Sequence, residues 1–174
     1  MKQSTKWILL GILSIVFGLY VLGHAYIASV AVAWVIGILL LIAGVVQVIG
    51  SFGSEDSTGW KIVSIIIGIL TAYVGLSFLY NPFAGVISLT MVVLIFFMAA
   101  GIARTIFAFN IRGTSFFWPM LLSGLLSIVL AGYLWMNFAD VVGPLLGILM
   151  GIEMLLDGFG LVVMGFFARG EEEA

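Results

Sequence analysis

Long apolar runs recur along the chain: residues 7–23, 27–50, 60–80, 84–109, 116–136 and 141–167 carry few charges, and short polar segments separate them. Each is near the roughly 20 residues that an α-helix needs to cross the hydrocarbon of a bilayer. The pattern predicts an all-α, polytopic membrane protein with six transmembrane helices. The longest polar stretches, residues 1–6, 51–59, 110–115 and 169–174, leave no room for a separate soluble domain, so residues 1–174 read as one transmembrane domain. Lys2 and Lys6 before the first run, with Gly23-His24-Ala25 after it, also resemble a signal peptide. The recurrence of the same segment downstream favours an ordinary span.

That recurrence is a repeat. Gly11-Ile12-Leu13-Ser14 with Gly18 matches Gly68-Ile69-Leu70-Thr71 with Gly75, and then Gly124-Leu125-Leu126-Ser127 with Ala131, in steps of 57 and 56 residues (68 − 11 and 124 − 68). The second helices keep the same period, with Gly44, Gly101 and Gly158 separated by 57 each (101 − 44 and 158 − 101). A period seen in both helices predicts three tandem two-helix hairpins at about residues 7–53, 60–110 and 116–168. Small residues seven apart return to nearly one helix face, where a neighbouring backbone can approach closely. Gly11, Gly18, Gly44, Gly68, Gly75, Gly101, Gly124 and Gly158 are therefore expected packing positions. Gly143, Gly147 and Gly151 add a G-x-x-x-G-x-x-x-G run, suited to packing inside the bundle or to self-association. Because each unit has two spans, successive units keep one orientation, unlike the inverted repeats of many transporters.

Composition strengthens the membrane reading: 64% of residues are hydrophobic, 8% are charged and mean hydropathy is +1.35. Lys2, Lys6, Lys61, Arg104, Arg112 and Arg169 fall on the side of the termini, whereas the turns near His24, Asn81 and Asp140 contain no Lys or Arg. The positive-inside rule then places both termini in the cytoplasm. Trp7, Trp60 and Trp118 fall at the cytoplasmic boundary, with Tyr20, Tyr26, Tyr80, Tyr133 and Trp135 toward the other. The chain has no cysteine, which removes thiol chemistry and disulfides. Six scattered basic residues cannot form a nucleic-acid surface. Expected partners are the lipid bilayer and another copy or another membrane protein.

Charge inside a bilayer is costly and marks candidate function. Arg104 in the fourth span and Glu153 and Asp157 in the sixth form the candidate intramembrane polar site. Superposing the repeats puts Arg104 about 6 Å of helix rise from Asp157 and about 12 Å from Glu153, so an Arg104–Asp157 ion pair is expected if the helices touch. Otherwise Arg104 snorkels to the boundary. A protonatable carboxyl near mid-membrane, such as Glu153, is what a proton-coupled site needs. The plainer role is a hydrogen bond to Ser14, Thr71, Ser127 or Thr105 that fixes helix register. His24, Asn81 and Asp140 form a candidate extracytoplasmic mouth, histidine being the side chain that changes charge near neutrality. Pro82 and Pro144 read as turn residues, and the acidic tail Glu171 to Glu173 as a solvated end. No hydrolase, metalloprotease or nucleotide-binding pattern occurs, so no enzyme activity, metal or cofactor is expected.

The Gly-Ile-Leu starts at Gly11 and Gly68, the Gly101-Ile102-Ala103-Arg104 stretch and Gly151-Ile152-Glu153-Met154, in this order and period, resemble the HdeD acid-resistance membrane protein family. That family is similar over almost the whole chain and places proline in the extracytoplasmic turns, as at Pro82 and Pro144; the turn at residues 23–28 departs from it. The resemblance implies an inner-membrane protein that contributes to acid or envelope stress tolerance without enzymatic chemistry, with Arg104 and Glu153 as the matching charged positions. The residues leave open a small proton-linked transporter or channel using Glu153, Asp157 and Arg104, and a membrane scaffold or oligomerisation protein.

Overall fold

A computed structural model describes residues 3–53 and 57–172. Lys2, Ser54 and Glu173 lie outside the described residues, as do the side chains of Arg169, Glu171 and Glu172. The chain forms α1 (Gln3–Gly23), α2 (Ala25–Gly53), α3 (Thr58–Tyr80), α4 (Pro82–Asn110), α5 (Phe117–Met136), α6 (Phe138–Val141) and α7 (Leu145–Glu172). Among the described residues, the six other than the single turn α6 are long and apolar enough to cross a membrane.

Local chemistry sets the turns. Pro82 occupies the first turn of α4, where its missing N–H is not needed, and the Asn81 side-chain oxygen accepts a hydrogen bond from the Ala84 N–H at 3.3 Å. The last span starts at Leu145 rather than near residue 141 as its apolar pattern suggests. Pro144 restricts the residue before it and lacks a donor, so the chain breaks into α6 and then α7. The α7 ladder opens with the Ile148 N–H donating to the Pro144 carbonyl at 2.9 Å. Between α4 and α5 the connector turns through Gly113, whose φ of 95° suits a residue without Cβ.

The packing partners differ from those of side-by-side hairpins. Helices α1 and α2 are consecutive yet barely touch, and α3 meets α4 over a small area. Extensive packing instead joins α2 to α3, α4 to α5, and α7 back to α1. Each tight pair unites the second helix of one repeat with the first helix of the next, and the third repeat closes on the first. The sequence repeat is thus a splayed V, not a closed hairpin.

Glycines determine these pairs. A Cβ added at Gly158 would lie 2.7 Å from the Gly11 carbonyl oxygen, and one at Gly18 would lie 3.0 Å from that of Gly151. In α2–α3 the matching approaches are 3.0 Å for Gly68 against Gly44 and 2.6 Å for Gly75 against Gly37. In α4–α5 Gly124 meets Gly101 at 3.0 Å. Moving along one helix from Gly11 to Gly18 moves down its partner from Gly158 to Gly151, so the pairs are antiparallel. Lipid supplies little hydrophobic drive between helices, and backbone contact over a glycine groove substitutes dispersion packing for it.

The second helices of the three repeats, α2, α4 and α7, meet near the short turns, with α1, α3 and α5 outside them. Ala33, Val86 and Leu146 pack together there. Positions 57 residues apart share this environment: Ser29, Val86 and Gly143 are all buried, as are Ala33, Thr90 and Gly147. The arrangement is pseudo-threefold.

Candidate functional site

The centre near the turns is closed by small side chains and tied by hydroxyls. Ser29 on α2 is fully buried; its Oγ accepts a hydrogen bond from the Gly147 N–H at 2.8 Å and donates to the Ala25 carbonyl at 3.0 Å. Thr90 on α4, also fully buried, donates from Oγ1 to the Val142 carbonyl at 3.3 Å. Both bonds satisfy backbone groups beside the break at Pro144, where the helical ladder cannot. Gly147 packs directly on the Ala25 carbonyl and Gly143, in the turn before α7, on the Tyr26 ring, so both meet α2, while Gly151 contacts α1 at Gly18 and Leu22. These hydroxyls carry no charge and escaped the sequence reading. Their signal was the repeat register, which puts Ser29 level with Gly143 and Thr90 level with Gly147.

Leu146, Met150, Glu153 and Asp157 follow one another at spacings of four, three and four, the interval that keeps residues on one helical stripe. Leu146 faces the central contact with Ala33 and Val86. Glu153 and Asp157 therefore continue the stripe that faces the centre, on the side of the termini, yet both are exposed. Their repeat equivalents behave alike: Leu39 and Phe96, level with Glu153, are exposed, and of Ala43 and Ala100, level with Asp157, the first is exposed and the second half-buried. Toward the termini the three inner helices therefore do not pack through these faces, and the third repeat alone places carboxylates there.

Arg104 does not reach them. Its Nη1 donates to the Ser123 and Ser127 hydroxyls on α5 at 3.4 and 3.5 Å, near the long limit for hydrogen bonds. The expected Arg104–Asp157 ion pair is absent among the described residues, because Arg104, three residues beyond Gly101, lies toward the α5 groove. Its distance from the α4 end at Asn110 is about 9 Å of helix rise, within snorkelling reach. Gln47, the equivalent in the first repeat, also bridges to the next helix: its Nε2 donates to the Ser64 carbonyl at 3.3 Å, beside a 2.8 Å hydrogen bond between the Ser51 and Ser64 hydroxyls.

The hydroxyls proposed as partners of Glu153 are engaged elsewhere. Ser14 donates to the Met154 carbonyl at 2.8 Å, Thr71 to the Ile67 carbonyl, Ser127 to the Ser123 carbonyl and Thr105 to the Gly101 carbonyl. His24 stacks on the Tyr20 ring with centroids 4.6 Å apart, and its Nδ1 lies 3.1 Å from the Tyr20 carbonyl. Asn81 caps α4, and Asp140 sits in the first turn of α6. Among the described residues no hydrogen bond or ring contact joins His24, Asn81 and Asp140, so each serves its own turn.

Six spans, three internal repeats and a cyclic exchange of partners define a polytopic α-helical membrane protein of the short-repeat type. The chain belongs to the family described as Short repeat of unknown function (DUF308), whose model matches residues 9–80 and again 66–136. The two matches start 57 residues apart (66 − 9) and end 56 apart (136 − 80), the same steps as the glycines. Each match runs across three helices, α1 to α3 and then α3 to α5, and so contains one tight inter-repeat pair. No curated protein and no solved structure matches the chain.

Proposed function

We propose that this is an HdeD-like integral inner-membrane protein that contributes to acid or envelope stress tolerance by a non-enzymatic mechanism, with both termini in the cytoplasm. The observation that supports the reading is the ring of three glycine-sealed helix pairs, a body whose chemistry is that of packing and lipid contact. The resemblance to the acid-resistance proteins, carried by Gly101 to Arg104 and Gly151 to Met154, gives the stress assignment. Cells lacking the gene are expected to lose viability after acid shock and to regain it with the wild-type copy. Equal survival with and without the gene across acid and envelope stresses overturns the reading.

A second reading, proton-linked passage, is favoured by one observation: Glu153 and Asp157 lie on the centre-facing stripe without a protein ion-pair or hydrogen-bond partner among the described residues. Proton flux into liposomes at acidic external pH, comparing the native chain with Glu153→Gln, tests it. Flux lost in the variant supports passage; flux equal to that of empty liposomes, with the protein folded and inserted, removes it.

A further inference from the structure

The repeats act as internal controls for one another, and one helix pair breaks their rule. On α1–α7 and α2–α3 a second glycine contact follows the first, Gly18 against Gly151 and Gly75 against Gly37. On α4–α5 the same positions are Leu94 and Ala131, so the second glycine-to-glycine contact is missing there. Two neighbouring positions change in the opposite sense. Gly132 stands where α1 and α3 have Leu19 and Leu76, and Ala99 where α2 and α7 have Ile42 and Leu156. The missing contact and the two truncations together leave a cavity of 630 Å³ between α4 and α5, lined by Leu94, Ala99, Ile102, Ala131, Gly132 and Trp135 among others.

We propose that this crevice is a binding site for one acyl chain of a bilayer lipid. Its lining is almost wholly apolar, and it lies on the outer side of the ring, where α5 packs on α4 and not on the inner helices. It extends about 12 Å along α4, from Leu94 to Ile102 across the middle of that helix, and continues along α5 to Trp135 and Met136. Its upper end is at Trp135, one residue from the end of α5, where an indole N–H is level with lipid headgroups. The occupant thus enters at the Trp135 end of the crevice, the end nearest the short turns. Retention comes from dispersion contacts in a shaped groove, since a lipid chain gains no hydrophobic energy by leaving lipid.

The test uses the full chain with Trp7, Trp34, Trp60 and Trp118 changed to Phe, leaving Trp135 as reporter, in micelles titrated with phosphatidylcholine brominated on its acyl chains. Saturable quenching at about one lipid per chain is expected. Ala99→Leu with Gly132→Leu restores large residues at these positions and should raise the half-saturation concentration roughly tenfold or more, a specific change in affinity. Gly132→Leu alone should give an intermediate shift; it is compatible with folding because a Cβ there meets nothing within 4 Å. Unsaturable quenching identical in both proteins, or saturation unchanged by the filling substitutions, overturns the proposal. A dimer that the filling substitutions dissolve overturns it too, since a helix of a second copy would then occupy the groove.

Discussion

Gly44 and Gly68 face each other across α2 and α3 so closely that a Cβ on Gly44 would lie 2.5 Å from the Gly68 carbonyl oxygen. The atoms in the way are backbone, including the amide of Ala72, and cannot rotate aside. Gly44→Val should therefore cost about 1–3 kcal/mol or more through overpacking. Gly50→Ala on the same helix, where a Cβ meets nothing within 4 Å, should be neutral or slightly stabilising. Reversible unfolding in mixed micelles compares the two.

Closure of the ring predicts a contact between the first and last spans. Because the chain has no cysteine, a pair introduced at Ser14 and Leu155 has no background. It should cross-link rapidly with a short bis-maleimide, whereas a pair at mid-helix positions of α1 and α5 should not. A protease site placed in the connector at residues 54–56 reads the result: linked α1 and α7 fragments stay together on a denaturing gel.

The Ser29 hydroxyl is the fully buried partner of the Gly147 N–H. Ser29→Ala leaves that donor unsatisfied and should destabilise the protein by about 1–3 kcal/mol. The same substitution at exposed Ser77 should fall within roughly 0.5 kcal/mol of wild type. Thermal unfolding in detergent distinguishes them.

Arg104 and Asp157 should act independently. With no ion pair between them, the effects of Arg104→Gln and Asp157→Asn on stability should add to within about 0.5 kcal/mol in a double-mutant cycle. A coupling well beyond that would indicate that the two groups meet, and would restore the ion pair that matching helix levels suggest.

The spans and their glycine faces were legible because hydrophobic length and small-residue period are local properties of a sequence. Which helices the faces join was not. Gly11 and Gly44 each announce a close-packed surface, but antiparallel neighbours are available both within a unit and across units, and the pattern is the same for either. For Arg104 the repeat register carries its level in the membrane, while the choice between ion pair and snorkelling depends on its angle around the helix. Three residues beyond Gly101, it shares the side that meets α5, whereas Glu153, two residues beyond Gly151, lies on the opposite side from the glycine contact. Both angles follow from 3.6 residues per turn. The start of α7 was read too early because Val141 and Val142 are apolar, and the break comes from Pro144 instead.

The packing of α1 on α7 also fixes the timing of assembly. During synthesis the other two tight pairs can form as soon as α3 and then α5 emerge, since each follows its partner directly. The first span has no such neighbour and must wait, its glycine groove open to lipid or to the insertion machinery, until the last span is made. A chain arrested before α7 would leave the groove at Gly11 and Gly18 uncovered, so α1 itself registers whether α7 has been made.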